Sequence, residues 1–192
     1  MLRGLVFTPG ATRDPYLDDG APPDLALELY FADIVALEAA QTALAGLVPL
    51  LAGARVTQQA MLVRRFAVPD PVFRTAQGAP HCSYLVAYEG IAEDLNLWLS
   101  YYIAHHPGIM ARFPGIRQIE IFTRIDWCGA LPWARVDYMQ RNKVVFDDAA
   151  ALTAALNSPV RHEMRADFKH FPPFSGRNTH FAMLTHDIAP AL

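Results

Sequence analysis

Laid over itself with a shift of 115 residues, the chain meets its own pattern twice. "GLVFT" (Gly4–Thr8) falls on "IEIFT" (Ile119–Thr123), and "LYFADIVALEAA" (Leu29–Ala40) falls on "VVFDDAAALTAA" (Val144–Ala155). Phe7 meets Phe122, Phe31 meets Phe146, Asp33 meets Asp148 and Leu37 meets Leu152. After a seven-residue insertion in the second stretch, "AML" at Ala60–Leu62 meets "AML" at Ala182–Leu184. One offset held across the intervening loop restricts the chain to two related units joined end to end.

The second unit reads as a full set of elements. "HCSYLVAYEG" is rich in aromatic and β-branched residues and stops at Gly90, which predicts a strand. "AEDLNLWLSYYIAHHPGIMARF" opens on acidic residues and places Leu95, Trp98, Leu99 and Tyr102 at three- and four-residue spacing, one apolar helix face. Pro107-Gly108 is expected to break or kink that helix, so "HHPG" reads as a helix terminus. "IRQIEIFTRI" alternates Ile with polar residues, a strand with one buried face, and "RVDYMQRNKVVF" is another strand. Asp147 or Asp148 can cap "AAALTAALNS" as a helix, Ser158-Pro159 ends its first segment, and "NTHFAMLTHDI" closes as a strand. The order is βαββαβ, the ferredoxin-like split unit.

The first unit carries only the later part of this pattern, ββαβ. "LRGLVFT" and "LALELYF" read as strands, "DIVALEAAQTALAGLVPLL" as a helix and "VTQQAMLVRRFAV" as a strand. "PDPVFRTAQGAP" is rich in proline and small polar breaks and reads as a linker. The expected organisation is a partial repeat over 1–68, a linker over 69–80 and a full repeat over 81–192.

These residues resemble the EthD-like family of the dimeric α+β barrel superfamily. The matching features are an aromatic helix ending in His-x-Pro (His105, Pro107) and the step "FPGI" (Phe113–Ile116) into a strand. The stretch "DLALELYFADIVAL" (Asp24–Leu37) also matches, as do Phe146-Asp147-Asp148, Ser158-Pro159, Asp167 and Phe171. Lys143 stands where the first unit has Glu28. The resemblance implies an α+β, ferredoxin-like barrel of antiparallel sheets with helices on one face. The other face needs a cover, because an apolar sheet face is unstable in water. Two sheets packed face to face supply one, either from the two halves of one chain or from two chains. The incomplete first unit argues for a homodimer or a further edge contact.

Composition removes several classes of function. The net charge is −3 and no Lys/Arg run stands out, which excludes an ordinary nucleic-acid surface. No segment approaches the roughly 18 uninterrupted apolar residues of a membrane span. The apolar stretch of "MLRGLVFTPG" is broken by Thr-Pro-Gly and reads as a strand rather than a signal peptide. Cys82 and Cys128 form no C-x-x-C pair and are too few for a disulfide scaffold, so they are expected as free thiols of a cytoplasmic protein. There is no phosphate loop, nucleophile elbow, dinucleotide fingerprint or paired-histidine metal motif, so neither a cofactor nor a metal is expected.

His105 is the first candidate for chemistry. The resemblance places a cavity between helix and sheet at that helix end, and an imidazole exchanges protons near neutral pH. The bland reading of the same residue is a helix-terminal His bonded to free carbonyls. Adjacent helical residues point about 100° apart, so one of His105 and His106 faces the cavity. Tyr84 and Tyr102 are candidate hydroxyls that hold a substrate oxygen, and otherwise ordinary core tyrosines. His106, Tyr88, Trp98, Phe122 and His180 are candidate substrate-binding residues, with His180 and His186 on one face of the last strand. Trp127 and Trp133, around Gly129 and Pro132, either close over a ligand or pack in an interface. The expected function is a small cofactor-independent enzyme of cyclase, decarboxylase or isomerase type acting on a compact apolar, aromatic or polyketide-like molecule. The alternative is a non-catalytic small-molecule binder or accessory protein of a degradation pathway.

Overall fold

A computed structural model describes residues 1–188, so the last four residues of the expected second repeat lie outside the described residues. The strands are β1 (Arg3–Pro9), β2 (Ala26–Tyr30), β3 (Thr57–Gln58), β4 (Met61–Phe66), β5 (His81–Tyr88), β6 (Ile116–Arg124), β7 (Ala134–Arg135), β8 (Gln140–Phe146) and β9 (Asn178–Ile188). The helices are α1 (Ile34–Leu44), α2 (Leu95–Met110), α3 (Ala149–Leu156) and α4 (Pro159–Phe168). The strand "RVDYMQRNKVVF" is shorter than its pattern suggests. Arg135 pairs with Gln58 in a small parallel ribbon, and the main strand begins only at Gln140.

Seven strands make one antiparallel sheet in the order β2-β1-β9-β5-β8-β6-β4. Its centre, β9-β5-β8-β6, with α2 and then α3–α4 as crossovers, is the βαββαβ unit. The remaining strands come from the first 66 residues and extend both ends: β1 pairs with β9, and β4 pairs with β6. The structure therefore differs from two separate sheets. The strands of the first 66 residues pair on β9 and β6, the outer strands of that βαββαβ unit.

Of the two caps the sequence offered for α3, Asp147 and Asp148, the helix uses Asp148. Asp33 accepts from the Ala36 N–H at the start of α1, and Asp148 accepts from the Ala151 N–H at the start of α3, each at 2.8 Å. Helix α2 departs from expectation. Pro107 lies inside it and the helix runs on to Met110. Trp98, Tyr102, His106 and Met110 recur every fourth residue on its buried side. Burying Met110 and the neighbouring Phe113 in the core outweighs the hydrogen bond that proline deletes.

Helices α2, α3 and α4 cover one face of the sheet, over a core of Trp98, Tyr102, Ile119, Ile121, Phe146 and Leu152, while α1 packs by Gln41 against the loop at Cys128 and Ala130. The opposite face curls inward around Leu5, Phe7, Phe122 and Met183. This curling brings edge strands β2 and β4 together over β6. Glu120 accepts from the Tyr30 hydroxyl (2.5 Å), from Arg65 Nε (2.9 Å) and from Lys143 Nζ (2.9 Å). Lys143 also pairs with Glu28. The polar side of the "IRQIEIFTRI" alternation is thus not a solvent face: Glu120 and Lys143 are both 0% exposed. Burial drives the Glu120 carboxyl up, but Lys143, Tyr30 and Arg65 more than offset that and hold it below the usual range.

Candidate functional site: two histidine–aspartate pairs in an apolar cavity

Between the helix-bearing face of the sheet and α2, α3 and α4 lies a cavity of about 360 Å³. That volume suits a compact organic molecule. Val144 and Phe146 form its floor, and Met110, Phe113, Leu152, Leu156 and Met164 its walls. The irregular segment between β1 and β2 closes over one side and contributes Leu17.

His106 reaches the cavity from α2 and is 5% exposed. Its Nδ1 lies 2.6 Å from Asp167 Oδ2. Tyr101 donates its hydroxyl to the other carboxylate oxygen at 3.0 Å. The His106 hydrogen bond, with help from Tyr101, holds the Asp167 carboxyl below the usual range, so it is ionised and can only accept. The Nδ1 proton is therefore fixed on the Asp167 side, and Nε2 is left as the basic nitrogen with no protein partner. Burial lowers the pKa of His106 more than Asp167 raises it, so the ring is neutral at neutral pH.

His180, on β9, repeats the arrangement. Its Nδ1 and its backbone N–H both reach Asp19 Oδ2 at 2.9 Å, and burial lowers its pKa in spite of that carboxylate. Tyr84 lies alongside, with ring centroids 5.7 Å apart, and donates its hydroxyl to Asp14 Oδ2 at 2.6 Å. Arg161 of α4 donates to the same oxygen from Nη2 at 2.7 Å and from Nε at 3.2 Å. Burial raises the Tyr84 pKa, and Asp14 raises it further. Asn142 lines the floor. Its Nδ2 donates to the Tyr102 hydroxyl at 2.7 Å, while its Oδ1 is buried without a partner.

Of the residues singled out in the sequence, Tyr84, Tyr88, His106 and His180 line the cavity. His105 does not. It is exposed, stacks on Tyr101, and bonds through Nδ1 to the Tyr101 carbonyl at 2.8 Å. Tyr102 and Trp98 are fully buried one layer behind the wall, stacked on each other. Phe122 lies on the other face of the sheet, in the barrel interior, because its parity on β6 is that of Glu120. The tryptophan loop packs away from the cavity: Gln58 donates to the carbonyls of Leu131 and Trp133, and Arg135 lies over Trp127. Asp14, Asp19, Asn142 and Arg161 were not singled out. Asp167 entered only through the family resemblance. Among the described residues no three His, Cys, Asp or Glu side chains gather as a metal site, and no helix is long and apolar enough to cross a membrane.

No family model and no curated protein matches the chain. Among solved structures, an EthD family protein from Bacillus halodurans is 20% identical over 52% of this chain and 96% of its own, with a TM-score of 0.40. An anthrone oxidase-like protein is 12% identical over 100% of this chain and 82% of its own, with a TM-score of 0.55. What this second similarity supports is the fold over the whole chain, an α+β arrangement built on one curled antiparallel sheet of seven strands.

Proposed function

We propose that the chain is an EthD-like, cofactor-independent enzyme that moves a proton on a compact apolar, aromatic or polyketide-like carbonyl compound, in the manner of a cyclase, decarboxylase or isomerase. The observation that carries this reading is His106: a buried, neutral imidazole, fixed by Asp167 through Nδ1, with Nε2 free at an apolar cavity. This is the state a general base needs. Nε2 takes a proton from carbon beside the carbonyl, and the electron pair moves onto the carbonyl oxygen. Arg161 stabilises the resulting enolate, and the imidazolium stabilised by Asp167 returns the proton to carbon or oxygen. His180, held by Asp19, is the second group able to carry that proton. Tyr84 acts through Asp14, to which its hydroxyl is committed. Anthrone, in the name of the anthrone oxidase-like neighbour, is an aromatic ketone of this substrate class. The same reading makes the chain a tandem of one partial and one full ferredoxin-like repeat.

The test is solvent deuterium exchange into the acidic C–H positions of 2-tetralone and anthrone, followed by NMR. The wild-type protein is expected to accelerate exchange of at least one ketone, and His106→Gln to remove about 10²–10⁴-fold of that acceleration. If neither ketone exchanges faster with protein, although both shift on binding, the catalytic reading fails and the protein is a binder.

A further inference from the structure

The charges around the cavity are unevenly placed. Arg161, Arg165 and Lys169 all line it, and among the described residues no carboxylate does. The three lie four residues apart, so they form one stripe along α4 and its C-terminal end. Arg165 and Lys169 are exposed and stand with Leu17 and Phe168 at the mouth; Arg161 is buried further in. Neither Arg165 nor Lys169 has an ion-pair partner among the described residues. Arg161 spends Nε and Nη2 on Asp14, which leaves Nη1 free. The nearby carboxylates are already committed: Asp14 to Arg161 and Tyr84, Asp19 to His180, Asp167 to His106 and Tyr101. In a chain of net charge −3, an apolar cavity with a purely cationic mouth is selective for one sign of ligand.

We infer that the substrate is an organic anion, a compact apolar or aromatic body carrying one acidic group. The body fills the space under α2 and α4, and the acidic group sits against Arg161, Arg165 and Lys169. This rests on the proposed cavity function and adds the charge of the substrate to it. Arg165 offers a forked set of N–H donors suited to a carboxylate, and Arg161 adds the single Nη1 donor left over from Asp14.

A matched pair of fluorescent probes tests it. 1-Anilinonaphthalene-8-sulfonate and N-phenyl-1-naphthylamine share one skeleton, and only the first carries an anion. The anion is expected to bind one site about tenfold or more tighter than the neutral probe, which is at least 1.4 kcal/mol. The double variant Arg165→Gln/Lys169→Gln, both positions exposed, should cancel most of that preference and leave the neutral probe unchanged. If both probes bind equally to the wild type, or the double variant keeps the preference, the anion inference is overturned while the cavity stands. If neither probe binds, the cavity function itself fails, and the inference with it.

Discussion

Lys143 and Glu28, the two residues that the 115-residue shift lays on each other, form an ion pair inside the barrel. Lys143 Nζ also contacts the Tyr30 hydroxyl at 2.6 Å and Glu120 at 2.9 Å, so a single ammonium joins β8, β6 and the edge strand β2. Removing it leaves Glu120 buried with only Arg65 and Tyr30. Lys143→Met is expected to lower the unfolding free energy by about 3–5 kcal/mol, measured by urea denaturation. A loss below about 1 kcal/mol, the range of exposed pairs, would show that the network does not hold the barrel closed.

Acid should destabilise the protein early. His106 and His180 have folded pKa values below the ordinary 6.5, chiefly through burial, with Asp167, Asp19, Asp14 and Arg161 as the charged groups facing them. The unfolded chain therefore binds more protons below about pH 6.5. The stability from these two groups is complete above that pH and is lost as pH falls toward their folded values. Tm is expected to fall between pH 7.5 and 5, and to fall less in His106→Gln/His180→Gln. A Tm that stays flat or rises over that window contradicts the burial of these rings as neutral imidazoles.

The two adjacent histidines should behave differently. His105→Gln alters an exposed ring and is expected to change stability by no more than about 0.5 kcal/mol, with exchange activity retained. His106→Gln breaks the Asp167 contact and removes the cavity base. Comparable loss of ketone exchange in both variants would refute the assignment.

Asp14 competes with a bound anion for Arg161. Asp14→Asn removes that competitor at the cavity wall. Affinity for anilinonaphthalene sulfonate is expected to rise about three- to tenfold, between roughly 0.6 and 1.4 kcal/mol, although the segment between β1 and β2 loses an anchor. Weaker binding of the dye would mean that Asp14 builds the site rather than blocks it.

The strands and the Asp148 cap were legible because their signals are local: aromatic and β-branched content in "HCSYLVAY", alternation of Ile with polar residues in "IRQIEIFTRI", and Asp148 ahead of an apolar run. The cavity histidine was legible in part: the four-residue spacing from Trp98 through Tyr102 reaches His106 and not His105, and a helix stopped at Pro107 hides only its continuation to Met110. The barrel interior was obscured for a different reason. Glu120 and Lys143 occupy alternate positions that read as solvent-facing, and only the curl of the sheet encloses them. Asp14 and Asp19 lie in an irregular stretch more than 140 residues from Arg161 and His180, and no local pattern carries such a pairing.

The proposed mechanism requires His106 to be a neutral base with Nε2 open to the cavity. Long-range 1H–15N correlation of the histidine rings across pH reads this out, with His106→Gln supplying the assignment. The His106 ring is expected to be protonated on Nδ1 only at pH 7, with a midpoint below 6.5. A ring protonated on Nε2 at that pH, or a midpoint at or above 6.5, would contradict it.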